Sequence, residues 1–92
     1  MEFEYDAEKS LANEQKHGIP FEDVKELWFV PAVIIAARTA DEKRFMIIGK
    51  LKDKFYSCIF THRGERIRII SARRSRKIEE EIYNEKITEK NN

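Results

Sequence analysis

The sequence predicts a single α+β domain, in which an antiparallel sheet carries two helices from the N-terminal part of the chain and one from the C-terminal part. Apolar residues recur at helical spacing before Pro31, at a period of two from Val33 onward, and at helical spacing again after about Arg74. The links between the later strands have hairpin length, which antiparallel neighbours allow and parallel ones do not. Because 92 residues suffice for one domain, we expect a single domain over 1–92, with a polar tail at about 88–92.

Both N-terminal helices have recognisable ends. Asp6 is suited to cap the first helix, whose first turn contains Glu8, and Gly18 supplies a left-handed stop. Pro20 opens the second helix and Pro31 ends it. The apolar residues of this second helix share one face; they are Phe21, Val24, Leu27 and Trp28.

Five strands are expected. A short edge strand lies at 3–5, and the others lie at 33–37, 44–49, 54–61 and 66–69. Gly64 is available for positive φ in the last hairpin. We expect the helices to pack on one sheet face, with Ile78, Ile82 and Ile87 forming the stripe of the final helix. Since the central strands are apolar on both faces, the second face is then either a ligand cleft or covered by a partner.

Charge is distributed unevenly along the chain. The net charge is only +1, yet residues 63–77 hold seven Arg and Lys residues against Glu65 alone, a local charge of +6. Residues 1–29 and 78–92 are acidic. A basic segment of this kind is typical of a polyanion-binding surface, although a solvated basic face is the simpler interpretation of a charge run taken alone.

Missing motifs exclude several classes of protein. The chain has no glycine-rich phosphate loop and no nucleophile elbow. His17 and His62 lack metal-ligand spacing, and the single Cys58 allows neither an internal disulfide nor a Cys-based zinc site, so we expect no metal and no cofactor. The longest apolar run, 28–37, is interrupted by a proline, and the first residues lack a signal-peptide pattern. These features predict a cytoplasmic protein with no membrane partner.

Arginine is the remaining residue type that carries chemistry. Basic side chains occupy one face of the last strand, its junction with the final helix and the first helical turn; they are Arg66, Arg68, Arg73, Arg74, Arg76 and Lys77. Guanidinium groups bind phosphate bidentately and stay charged. Such fixed cations suit an RNA cleavage in which the 2′-hydroxyl attacks the neighbouring phosphate. On composition alone, this interpretation and simple pairing with the acidic N-terminal helices or with a partner's acidic residues are equally supported.

Glu79 and Tyr83 are four residues apart and therefore share one face of the final helix. Glu79 is placed to orient an arginine, and the Tyr83 hydroxyl to donate a proton or contact a phosphate. The alternative for Tyr83 is a half-buried packing residue with a solvated tip.

The order of particular residues resembles the BrnT family of toxins. The resemblance is carried by Phe3-Glu4-Tyr5-Asp6, Lys9, Asn13, Lys16-His17-Gly18-Ile19 and Phe21-Glu22, by Arg44 with Ile48-Gly49, and by residues 61–74 followed by Glu79 and Tyr83. It covers residues 3 to 85. The chain departs from the family at Tyr5, where tryptophan is common, and at Pro20, where a small capping residue is common.

The resemblance implies a RelE/ParE-like fold and a ribonuclease toxin of a type II toxin–antitoxin system, whose RNA cleavage halts translation. It also implies neutralisation by BrnA, an antitoxin with a DNA-binding domain. The expected partners are therefore RNA, the antitoxin, and operator DNA only through the toxin–antitoxin complex.

The resemblance also suggests roles for individual residues. Phosphate contacts and transition-state stabilisation fall to Arg63, Arg73 and Arg44, with Tyr83 as proton donor or orienting group and Glu79 supporting them. The residues expected to contact RNA are Arg66, Arg68, Arg74, Arg76 and Lys77, the first two being equally suited to antitoxin contacts.

Two non-enzymatic hypotheses stand beside this one. The first is a regulatory module whose basic strand contacts DNA, and the absence of a helix-turn-helix signature weighs against it. The second is an inactive toxin retained as an antitoxin-binding protein. The absence of a His/Glu acid–base pair leaves that hypothesis open.

Overall fold

The computed structural model describes residues 1–38 and 41–90. In chain order its elements are β1 (Glu2–Glu4), α1 (Ala7–His17), α2 (Phe21–Val24), a 3₁₀ helix (Lys25–Phe29), β2 (Ala32–Ala37), β3 (Arg44–Leu51), β4 (Lys54–Arg63), β5 (Arg66–Arg74) and α3 (Lys77–Lys90). This order confirms the predicted α+β class and the order of the strands, whereas the helix expected between Pro20 and Pro31 is the four-residue α2 followed by a 3₁₀ helix.

Helix α1 begins and ends where its capping residues predict. The Asp6 carboxylate accepts hydrogen bonds from the backbone N–H groups of Glu8 (2.8 Å) and Lys9 (3.3 Å). At the other end Gly18 has φ 78°, and its N–H donates to the Glu14 carbonyl at 2.8 Å. Local hydrogen bonding therefore fixes both ends of this helix.

The five strands form one sheet in the order β1-β5-β4-β3-β2. Strands β2 to β5 are antiparallel neighbours, as the hairpin lengths predict. The turn between β3 and β4 uses Lys52 and Asp53 at positive φ, and the turn between β4 and β5 uses Gly64. Strand β1 lies at the sheet edge as expected, but it runs parallel to β5. After β1 the N-terminal helices carry the chain to β2 at the opposite edge, and the antiparallel strands then return it to β5 beside β1.

The first face of the sheet is covered by α1, α2 and the 3₁₀ helix. Its core combines Phe21, Val24 and Leu27 with sheet residues such as Phe60, all at most 1% exposed. Cys58 is fully buried in this core, as its mid-strand position predicts. Apolar burial of this kind is the main stabilising contribution to so small a domain.

Helix α3 packs on β2 and β3 from the second face, so the expectation that all helices share one face is wrong. It covers Val33 and Ile48 with Tyr83 and with the partly buried Ile82 and Ile87. The apolar residues on both sides of the central strands are explained in this way without a partner protein.

The expected stripe on α3 also needs correction. Ile78 is 59% exposed, because the charged residue Glu79 takes the inward position at the start of the helix. Helix α3 continues to Lys90, through most of the expected polar tail, and residues 91 and 92 of that tail lie outside the described part. Within the described ranges, no helix is long and apolar enough to cross a membrane.

Candidate functional site

Helix α3 leaves part of the second sheet face uncovered, between itself and β1. Ser57 and Arg73 contact Glu79 on α3, and strand alternation places Ile59 on the same face of β4. A bulge in β5, opposite the Ile59–Phe60 junction, shifts the alternation by one residue, so Arg68 and Arg66 share the face of Arg73. The uncovered surface, termed here the open face, is formed by Met46, Ile59, Arg44, Arg63, Arg66, Arg68 and Arg73. An apolar floor of Met46 and Ile59 thus lies among five arginines.

Arg73 and Glu79 form the most constrained pair of this surface. Both guanidinium nitrogens Nη1 and Nη2 donate to the carboxylate, each at 2.8 Å. Glu79 is 6% exposed and also accepts from the Ser57 hydroxyl at 2.8 Å and from the Arg76 backbone N–H at 3.0 Å. The last bond caps the N-terminus of α3. One carboxylate therefore fixes the strand arginine and the start of the helix together.

The surroundings of Glu79 keep it ionised. Burial alone would raise the pKa of this carboxyl, but hydrogen bonds from Arg73, from the Arg76 backbone and from Ser57 outweigh burial and lower the pKa to about 2. Glu79 is consequently an anion at neutral pH, and its hydrogen bonds hold the Arg73 guanidinium in place.

Arg73 retains hydrogen-bonding capacity after this pairing. A guanidinium group has five N–H donors. Two donate to Glu79, and a second hydrogen of Nη1 donates to the Arg74 carbonyl at 3.2 Å. The Nε donor and one Nη2 donor have no acceptor among the residues that the structure describes. Since the side chain is 26% exposed, these two donors are available to an anion from solvent.

Arg66 and Arg68 are paired within the chain. Arg68 donates to Glu4 at 2.8 Å, and Arg66 donates to Glu2 at 3.3 Å, both carboxylates lying on β1. Pairing of the basic segment within the chain is one expectation from the sequence, but these acids belong to strand β1 and not to the N-terminal helices. These two arginines therefore present less net positive charge to a ligand than the sequence suggests.

Arg44 lies near the middle of the open face. It precedes Phe45, which pairs with Phe60, so Arg44 and Thr61 are neighbours across the two strands. Its Nη2 is 3.5 Å from Glu42, and its Nε is buried without a hydrogen-bond partner within the described ranges. An unpaired buried donor costs on the order of 1–3 kcal/mol.

Arg63 lies at the far end of the open face, beside the β4–β5 hairpin. It pairs with Arg66 in the strand register, is exposed, and forms no ion pair within the described part of the chain. Seven residues separate Arg66 from Arg73 along β5, a distance of about 23 Å. Arg63 and Arg73 therefore do not meet at one point, and a ligand touching both must be extended.

Tyr83 is 9% exposed, its ring packs edge-on against Phe55, and its hydroxyl donates to the Pro31 carbonyl at 3.4 Å. Pro31 precedes β2, which is three strand spacings, about 14 Å, from β5 and Arg73. The structure therefore brings Glu79, but not the Tyr83 hydroxyl, to an arginine.

The remaining basic residues expected to contact RNA lie around the start of α3. Arg74 extends over the Tyr56 ring at 5.8 Å, on the sheet face opposite Arg73. Arg76 and Lys77 are exposed at the first turn of the helix. They flank the Arg73–Glu79 pair at the end of the sheet that carries the β3–β4 hairpin.

Sequence reasoning missed two polar residues that hold this region. Ser57 bonds Glu79 and also lies 2.7 Å from the Ser75 hydroxyl. Buried Asn13 donates to the Ile19 carbonyl and accepts from the Ala72 N–H, fixing α1 to β5. The sequence feature that could have pointed to Ser57 is a single serine within a largely apolar strand. The role of Asn13 depends on contacts with residues distant in sequence.

The described residues include no group of three or more His, Cys, Asp or Glu placed to hold a metal ion. His62, one of two histidines, lies edge-on to the Phe45 and Phe60 rings.

The fold and the open face define a small α+β protein with an arginine-lined sheet surface. The family described as ribonuclease toxin, BrnT, of type II toxin–antitoxin systems matches this sequence over residues 5–79. The chain belongs to this family, which confirms the resemblance seen in the sequence. It is thus a toxin-family protein whose class acts on RNA and has an antitoxin partner. A comparison with individual curated proteins finds no match.

Glu79 predicts a specific pH dependence of stability. Because its pKa falls from a usual 4.5 to about 2, the ionised group stabilises the fold above pH 4.5, and this contribution is lost as pH falls towards 2. We expect the loss to be on the order of 3 kcal/mol. Denaturant unfolding at several pH values should show it in the wild type and not in Glu79→Gln.

Glu81→Gln is the matched control, since Glu81 is exposed on the same helix. This variant should retain the wild-type pH profile. Parallel stability curves for the wild type and Glu79→Gln would contradict the role given to Glu79.

Proposed function

We propose that this chain is a metal-independent endoribonuclease, that its cleavage of cytoplasmic RNA inhibits translation, and that a BrnA-type antitoxin neutralises it. The observation that carries the proposal is the Arg73–Glu79 pair. A buried carboxylate fixes the guanidinium, and two N–H donors remain free for an anion. A cation fixed before the ligand arrives stabilises developing negative charge without reorganising.

The chemistry needs no protein nucleophile. The RNA 2′-oxygen bonds to the adjacent phosphorus as its proton leaves, the bond from phosphorus to the 5′-oxygen breaks, and that oxygen takes up a proton. The products are a 2′,3′-cyclic phosphate and a 5′-hydroxyl. Negative charge grows on the phosphoryl oxygens during attack, and Arg73 is our candidate for stabilising it.

The other arginines of the open face suit binding of the RNA backbone. The Arg44 side chain is 41% exposed, and Arg68 lies across Thr61 from it, so both are within reach of one extended strand. Arg63 is exposed farther along the same face. We propose that Arg44, and Arg63 beyond it, contact phosphates farther along the strand whose cleaved phosphate lies at Arg73.

A non-catalytic, antitoxin-binding protein is the second candidate function. It is favoured by the wide separation of Arg63 from Arg73 and by the position of the Tyr83 hydroxyl at Pro31. In that case the open face serves only as an antitoxin surface. Direct assays of RNA cleavage separate the two candidates.

The proposed antitoxin site is also the open face. The half-buried Met46 and Ile59 supply apolar contact, while the surrounding arginines are blocked by the same segment. Operator DNA would be bound through the antitoxin in the complex.

Cleavage should proceed without added metal. We expect purified protein to cut single-stranded RNA in excess chelator, because the charge stabilisation is assigned to guanidinium groups. Gel analysis of end-labelled RNA with and without magnesium measures this. Activity that disappears in chelator and returns with magnesium would overturn the metal-independent mechanism.

Arg73 should be tested in a form that preserves the fold. Arg73→Ala would leave the buried Glu79 without its cationic partner, so loss of activity could reflect unfolding. The double variant Arg73→Gln/Glu79→Gln removes both charges together. We expect its single-turnover cleavage rate to be roughly a hundred-fold below that of the wild type, with Glu79→Gln, whose amide oxygen can still accept from Arg73, in between.

Tyr83→Phe serves as the control for this comparison. It retains the ring that packs on Phe55, and its cleavage rate should remain close to that of the wild type. A large loss in Tyr83→Phe would instead assign the proton transfer to Tyr83. Equal rates for the two Glu79 variants would remove Arg73 from the mechanism.

RNA and antitoxin binding should differ in their dependence on salt. Phosphate contacts release counterions, so RNA affinity should fall steeply as salt rises. Antitoxin affinity should fall only slightly, because apolar contact supplies most of it. Titrating both partners over one salt series tests this, and equally steep slopes would show an electrostatic antitoxin interface.

A further inference from the structure

A second basic surface lies at the end of the sheet that carries the β3–β4 hairpin. Its residues come from two distant parts of the sequence, 50–54 and 74–77. A hydrogen bond from the Ser75 N–H to the Phe55 carbonyl, at 2.9 Å, joins the two parts. We term this surface the hairpin basic cluster; it wraps around that end of the sheet and consists of Lys50 on the second face, Lys54 and Arg74 on the first face, Lys52 in the turn, and Arg76 and Lys77 at the start of α3. All six side chains are exposed.

The cluster differs from the open face in its charge pairing. Arg66, Arg68 and Arg73 each form an ion pair with a carboxylate of the chain. Within the described ranges, no member of the hairpin basic cluster forms one. Lys50 and Arg74 instead lie over aromatic rings, 5.1 Å from the centre of Phe55 and 5.8 Å from that of Tyr56. Arg63, at the opposite end of the open face, is also exposed without an ion pair among the described residues, but at the hairpin six such cations lie together.

Acidic residues border the cluster without neutralising it. Asp53 lies within the turn, and Asp23 and Glu26 form the opposite wall of an open cleft of about 580 Å³ beside Lys52 and Lys54. None of these carboxylates is within ion-pair distance of a cluster lysine. Their position limits a bound polyanion to the hairpin side of the cleft.

The cluster adjoins the proposed cleavage site. Arg74, Ser75 and Arg76 directly follow Arg73, and Glu79 holds both Arg73 and the Arg76 backbone. In the other direction along β5, Arg68 and Arg66 are neutralised by β1. A polyanion bound at Arg73 thus meets free cations at the hairpin and paired cations towards β1.

We propose that the hairpin basic cluster, with Lys52 and Lys54 as its outermost contacts, binds the phosphate backbone of the RNA segment on one side of the cleaved bond. This inference rests on the proposed ribonuclease function and adds a binding surface to it. Contacts to phosphates alone would be independent of sequence and sensitive to salt.

The test compares Lys52→Gln/Lys54→Gln with a control that has the same net charge, Lys9→Gln/Lys86→Gln, whose substitutions lie on α1 and on the later turns of α3. The probe for binding is a single-stranded 2′-O-methyl RNA, which lacks the attacking hydroxyl and stays intact. Cleavage is measured on the unmodified RNA of the same sequence. Thermal unfolding shows whether each variant is folded.

The hairpin variant should bind the probe on the order of ten-fold more weakly, and its log–log salt slope should be smaller by about 1.4, the value for two lost contacts to a single strand. KM for cleavage should rise while kcat changes little, because Arg73 is untouched. The control variant should retain the wild-type slope and KM.

Other outcomes separate this inference from the proposed function. Equal salt slopes for the hairpin and control variants, in a wild type that cleaves RNA, would overturn the cluster alone. Weakened antitoxin binding with unchanged RNA binding would also overturn it and assign the cluster to the antitoxin. A wild type that neither binds the probe nor cleaves RNA would overturn both proposals.

Discussion

The Glu79 carboxylate joins the last strand, the neighbouring strand and the final helix through hydrogen bonds from Arg73, Ser57 and the Arg76 backbone. Without it, the first turn of α3 would have an uncapped backbone donor, and the Arg73 side chain would lose the anion that orients it. Because burial of a carboxylate is costly, the site is stable only while all three donors are present. The start of α3 and the orientation of Arg73 in the proposed cleavage centre therefore depend on one side chain.

The placement of α3 also decides how much of the sheet is available to a ligand. Beyond Glu79 the helix runs away from β5 and packs over Val33 and Ile48. This packing buries the apolar half of the second face. The arginine-lined half stays open. Strand β1 borders that half and contributes Glu2 and Glu4, so the fold itself neutralises part of the basic segment. The positive charge that remains available to a polyanion is smaller, and is confined to fewer positions, than on a uniformly basic surface.

Much of the architecture was predictable because its determinants are local. Asp6 and Gly18 bound α1 through contacts with near neighbours, and the two-residue period with short links led to the antiparallel meander. The candidate site was only partly predictable. The spacing of Glu79 from the arginines allowed their pairing, but the burial of Tyr83 against Pro31 depends on a contact across 52 positions. Spacing on one helix face cannot show which neighbour a side chain meets.

The sequence by itself determined the order of the elements, the family and the residues available for phosphate binding, since these follow from residue type, period and order along the chain. Only the tertiary structure decided which sheet face α3 covers, which arginines are already paired, and that Ser75 at the start of α3 lies beside Phe55 of the β3–β4 hairpin. Those properties are set by contacts between segments that are far apart in the chain. Packing of the two apolar faces brings such segments together, and no local pattern specifies the resulting neighbours.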